Sequence, residues 1–89
     1  MKGYTYYRDR VTKGERFEDP KILKLANKWG NTVAHRQTDE GWTTEDPEIL
    51  KLVNKYGWTV ASIQIENGWK PKTKEAKTTI FVLGLEGKL

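Results

Sequence analysis

Few residues in this chain of 89 are of types that do chemistry. His35 is the single histidine and cysteine is absent, which excludes a thiolate nucleophile, a disulfide and a Cys/His metal cage. A lone imidazole cannot build a metal site, and no carboxylate recurs at ligand spacing beside it; a structural hydrogen bond is the better reading of His35. The carboxylates Asp39, Glu40 and Glu66 are the remaining acid–base material. Paired carboxylates work only when they converge in a cleft, and acids late in a helix usually form a solvated face. Gly30, Gly41, Gly57 and Gly68 are spaced as helix stops, not as a phosphate loop. Trp42 and Trp69 could stack nucleic-acid bases, but their equivalent positions favour packing. The expectation is no catalytic residue, no cofactor and no metal.

The elements that must position these residues come from an internal repeat. Residues 18–44 (EDPKILKLANKWGNTVAHRQTDEGWTT) and 45–71 (EDPEILKLVNKYGWTVASIQIENGWKP) match without a gap at 16 of 27 positions. A fixed period of this kind marks units that bury their apolar faces against one another. Asp19-Pro20 and Asp46-Pro47 read as helix starts, with Asp as N-cap and Pro at the first helical position. Ile22, Leu25, Ala26 and Trp29 then fall at i, i+3, i+4 and i+7, as do Ile49, Leu52, Val53 and Tyr56, which predicts one helix up to Gly30 and one up to Gly57. Thr32 and Thr59 are the expected N-caps of a second, shorter helix that Gly41 and Gly68 end.

Stepping back one period from Gly30, Thr32 and Gly41 lands on Gly3, Thr5 and Gly14, so the N-terminal segment reads as a half repeat rather than a strand hairpin. After Pro71 the period breaks down. A capping helix with Ala76, Ile80 and Leu83 inward and a strand over residues 78–83 both remain open. Ile80–Leu83 is the only apolar material left to cover the last unit, and truncation of residues 72–89 is expected to unfold the chain. The whole reads as mainly α: a short helix-turn-helix repeat stack forming one domain over 1–89. Residues 1–17 are the half-repeat cap, 18–44 and 45–71 the repeats, and 72–89 the C-terminal cap.

Charge is unevenly placed. The formal net charge is +4; residues 1–16 carry +3, residues 17–69 carry −2 and residues 70–89 carry +3. A nucleic-acid binder more often concentrates cations on one face. No apolar run approaches the ~20 residues needed to span a bilayer, and no signal-peptide core is present; a soluble, cytoplasmic protein without a membrane partner is expected.

GNTVAH and GWTVAS resemble the G-x-T-P-L-H opening of an ankyrin repeat, and DPEILKLVNKYG resembles the ankyrin second helix. The resemblance covers roughly residues 3–71 and is nearest to short, Trp-containing ankyrin-like repeats of bacterial and phage proteins. The period of 27 against about 33 implies that the long β-hairpin finger is missing, and Ser62 stands where the second unit would repeat His35. The resemblance implies a binding scaffold with no catalytic residues.

Positions that differ between the units are then the clues to binding: Asn31/Trp58, His35/Ser62 and Arg36/Ile63 are the expected partner-binding residues. Further changes include Lys21/Glu48, Thr38/Ile65 and Glu40/Asn67. Trp58 and Ile63 are either an exposed patch or packed against the C-terminal cap. The expected function is a non-enzymatic protein-binding scaffold, with an inhibitor or adaptor acting on a larger protein machine as its refinement. Nucleic-acid binding through the basic ends is the alternative, and dimerisation fits an array of only two full units.

Overall fold

The computed structural model describes residues 2–89; Met1, the first residue of the expected N-terminal cap, lies outside the described residues. Six α-helices follow in order: α1 Tyr4–Thr12, α2 Pro20–Leu23, α3 Val33–Asp39, α4 Pro47–Leu50, α5 Val60–Glu66 and α6 Lys74–Val82, with a final 3-10 turn at Glu86–Lys88. The described residues form no strand, only isolated bridges between Ala26 and Thr32 and between Val53 and Thr59. No described helix is long and apolar enough to cross a membrane.

The helix starts follow capping chemistry. Asp19 accepts from the Lys21 N–H and Asp46 from the Glu48 N–H, both at 2.9 Å, with Pro20 and Pro47 behind them. Thr32 and Thr59 cap α3 and α5 by accepting from the His35 and Ser62 N–H groups. The α1 start differs from the stepped-back register. Its N-cap is Gly3, without a side-chain bond, so Thr5 lies inside the helix and is not its cap.

The long first helix of each unit does not form. α2 ends at Leu23 and α4 at Leu50, each a single turn. The cause is Asn27 and its repeat equivalent Asn54. Asn27 Oδ1 accepts from the N–H groups of Trp29 and Asn31, and Asn54 Oδ1 from those of Tyr56 and Trp58. Such local side-chain bonds offer the backbone a turn in place of a helix. The chain folds back, with the Asn27 N–H bonding the Asn31 carbonyl and the Val33 N–H bonding the Leu25 carbonyl. Trp29 and Tyr56, expected on the apolar stripe, are therefore exposed at the turns. Gly30 ends the first turn at φ +77°, and an added Cβ would meet Asn54 Cα at 3.1 Å.

Residues 72–89 form a helix, not a strand, and the period persists there. Thr73 caps α6 at the register of Asp19 and Asp46, and Gly84, at φ +71°, falls at the register of Gly30. At the register of Asn27 and Asn54 stands Phe81. With no amide to capture the backbone, the helix runs nine residues, to Val82.

Two rows of helices result. α3 packs between α1 and α5, while α2 packs on α3, and α4 on α5 and α6. One core cluster joins Val11, Leu23, Val33, Ala34, Ile49 and Val60; a second joins Leu50, Ala61, Ile65, Ala76 and Ile80, with Leu83 against it. Polar side chains stitch the rows. Gln37 and Gln64, each 0 % exposed, clasp a linking loop at both backbone groups. Gln64 Oε1 accepts from the Thr44 N–H at 2.9 Å and its Nε2 donates to the Thr44 carbonyl at 3.2 Å; Gln37 treats Phe17 in the same way. Trp42 and Trp69, half-buried, donate their indole N–H groups to Glu18 and Glu45. Glu45 also accepts from the Lys72 and Thr73 N–H groups, which ties α6 to the second unit. Partial burial works against the Glu45 carboxylate, but these bonds outweigh it and hold its pKa below the usual value. Among the described residues, no buried side-chain polar atom lacks a partner.

Candidate protein-binding face

The helices α3 and α5 run side by side in the same direction. Near their starts, His35 Nε2 lies 2.9 Å from the Trp58 carbonyl; near their ends, Asn67 Nδ2 donates to the Thr38 carbonyl at 3.0 Å. Residues 27 apart therefore face the same way on neighbouring helices. Between them and the turns opens a groove of about 430 Å³, lined by Asn31, Asp39, Asn54, Trp58, Ile63 and Glu66.

Trp58 is the anchor of this groove. Its N–H donates to Asn54 Oδ1, and its carbonyl accepts from both the Asn54 N–H and His35. Asn54 Nδ2 in turn donates to Asn31 Oδ1 at 2.7 Å. The backbone is thus pinned while the residue stays 47 % exposed. A large apolar side chain carried on a fixed backbone needs no backbone ordering on contact, which suits an interface hot spot. Trp58 is absent from both core clusters, so packing against the C-terminal cap does not account for it.

Of the six residues expected to bind a partner, the structure brings together Asn31, Trp58 and Ile63. It separates the other three. His35 is 2 % exposed and Ser62 is 8 % exposed, so neither presents a surface. The Trp58 carbonyl only accepts, so His35 Nε2 carries the proton and Nδ1 accepts from Thr32. Burial pushes the His35 pKa below its ordinary value, against the opposing pull of that carbonyl and of Asp39. Ser62 Oγ donates back to the Thr59 carbonyl within its own helix. Arg36 is half-buried and tied to Glu40 at 3.2 Å and to Thr12 Oγ1 at 3.3 Å.

Sequence reasoning missed Asp39, Asn54 and Glu66 as groove residues. Comparison of differing positions passes over them, because Asn54 repeats Asn27 and Glu66 conservatively repeats Asp39. The available signal was electrostatic. Asp39 and Glu66 are the last residues of α3 and α5, where the helix dipole disfavours a carboxylate by about 0.3–1 kcal/mol. Partial desolvation, with Glu40 adding to it, raises the Asp39 pKa despite Arg36 and His35 nearby, although its surface remains open to water.

A second concavity lies toward the N-terminus, lined by residues including Tyr4, Tyr6, Arg8, Asn27, Lys28 and Trp29. Its character is cationic. The Lys28 ammonium sits 4.5 Å from the Trp29 ring centre, and the Arg10 guanidinium 5.2 Å from that of Tyr6. No protein-family model, curated protein or solved structure matches this chain.

Proposed function

We propose that this chain is a non-enzymatic protein-binding scaffold, a short ankyrin-like repeat stack that presents the Trp58 groove to another protein. The observation that carries the reading is Trp58 itself: a pinned backbone, an exposed indole and no role in either core cluster. The Gln clasps and the His35 bond support the stack, because each joins one unit to the next, and the Thr caps recur at the same register within their own units. The refinement of this reading is a bacterial or phage inhibitor or adaptor that binds a larger protein machine.

The test is capture from nuclease-treated bacterial lysate by the immobilised protein and by Trp58→Ala, with circular dichroism as the control for folding. Proteins retained by the parent and lost by the variant support the reading. Equal capture by both overturns it. A second reading, nucleic-acid binding, is favoured only by the cationic aromatic concavity at Tyr6, Arg8, Lys28 and Trp29. Capture that disappears on nuclease treatment, with affinity falling steeply in salt, supports that reading instead.

A further inference from the structure

We propose that the partner segment seated in the Trp58 groove carries a guanidinium or ammonium group, an arginine- or lysine-bearing stretch laid over the indole. The inference rests on the protein-binding reading and adds the chemistry of the occupant.

Charge complementarity carries it. The ion pairs among the described residues engage Asp9, Glu15, Glu40 and Glu48. Glu18 and Glu45 accept from tryptophans, and Asp19 and Asp46 cap helices. Asp39, Glu66, Glu75 and Glu86 do none of these, and of the four Asp39 and Glu66 line the groove beside Trp58 and Ile63. Arg36 is near enough to lower the Asp39 pKa, but its guanidinium bonds Glu40 and Thr12 instead. A chain of net charge +4 therefore keeps an unneutralised acidic, aromatic groove. The two carboxylates occupy equivalent positions on neighbouring parallel helices, whose axes pack about 8–10 Å apart in ordinary helix packing. One cation on the indole face can lie between them, gaining cation–π attraction and Coulomb attraction together. The α1 position of the same register is Thr12, so the acidic character belongs to this groove and not to the whole face. A phosphate-bearing or acidic occupant would meet repulsion at both rims.

The experiment follows the indole N–H resonances of the full chain by NMR while two acetylated, amidated tetrapeptides are added at low salt, Leu-Arg-Leu-Arg and Leu-Glu-Leu-Glu. The expected result is a saturable shift of the Trp58 resonance with the arginine peptide alone. Trp42 and Trp69, whose indoles are held by Glu18 and Glu45, serve as internal controls. Asp39→Asn combined with Glu66→Gln should weaken binding about tenfold, since rim charges contribute modestly each; both changes preserve shape, and the unchanged control resonances report an intact fold. An equal response to both peptides, no response to either, or unchanged affinity in the double variant would overturn the proposal. If Trp58→Ala loses lysate capture while the double variant keeps it, the scaffold reading stands and only the charge assignment fails. If Trp58→Ala loses nothing, both fail.

Discussion

Replacing Gln64 by alanine should cost about 3 kcal/mol of stability. The side chain is fully buried and bonds both backbone groups of Thr44. Its removal orphans one N–H and one carbonyl, each worth about 1–3 kcal/mol if sealed from water. Thr44 is only half-buried, so the lower figure applies to each, about 2 kcal/mol together. The lost methylene and residual void add about 1 kcal/mol. Against a total of roughly 4–13 kcal/mol for a chain of this length, that is a large fraction. Urea unfolding followed by circular dichroism and tryptophan fluorescence gives the difference directly, with an unchanged m-value expected. Gln64→Glu sharpens the test. A protonated carboxyl reproduces the amide pattern, its carbonyl accepting from the Thr44 N–H and its O–H donating to the Thr44 carbonyl. An ionised one sets a buried charge against that carbonyl. The variant should therefore approach the parent at low pH and fall behind as pH rises through a pKa that burial has lifted above the ordinary glutamate range. A cost below about 0.5 kcal/mol for the alanine variant, or a glutamate variant whose deficit does not change with pH, would refute the clasp as a stabilising element.

Gly30→Ala should destabilise more than Gly57→Ala, by about 1 kcal/mol: both sites lie at positive φ, but only at Gly30 would the new Cβ press on the Asn54 backbone, and equal melting temperatures would contradict this. The His35 pKa is lowered in the fold, so the unfolded chain takes up the proton first. Stability is complete above about pH 6.5 and declines as pH falls toward the lowered value. In His35→Gln the decline between about pH 7 and pH 5 should be shallower than in the parent, and identical slopes in urea titrations would exclude the buried neutral imidazole as the cause.

The helix starts were legible because a cap is a local device: Asp19-Pro20, Thr32 and Thr59 act within three residues of themselves. The helix lengths were not. The spacing of Ile22, Leu25, Ala26 and Trp29 fits a helical stripe, yet Asn27 diverts the backbone after one turn. Only the contrast with Phe81, where the helix continues, reveals which residue decides. The groove was half legible. Trp58 and Ile63 stand out as apolar substitutions between matching units, whereas the acids that give the groove its sign are the ones the two units share. Differences located the anchor, and likeness concealed the charge.

The His35 to Ser62 change carries a consequence for how the chain transmits order along itself. His35 reaches the turn of the following unit through the Trp58 carbonyl; Ser62, at the equivalent position, turns inward to Thr59. The hand-over from the second unit to α6 is made instead by the Glu45 carboxylate, which holds the N–H groups of Lys72 and Thr73. Successive junctions are thus closed by groups of opposite acid–base character. Acid that charges the imidazole puts the new proton on Nδ1, so Nε2 still donates to the Trp58 carbonyl while the bonds from Thr32 inside the first unit are lost, over a pH range in which the carboxylate still grips the second junction. Stronger acid is needed to neutralise that carboxylate. Mild acidification should therefore disturb the start of α3, beside Trp58, before it releases the seam that Glu45 closes.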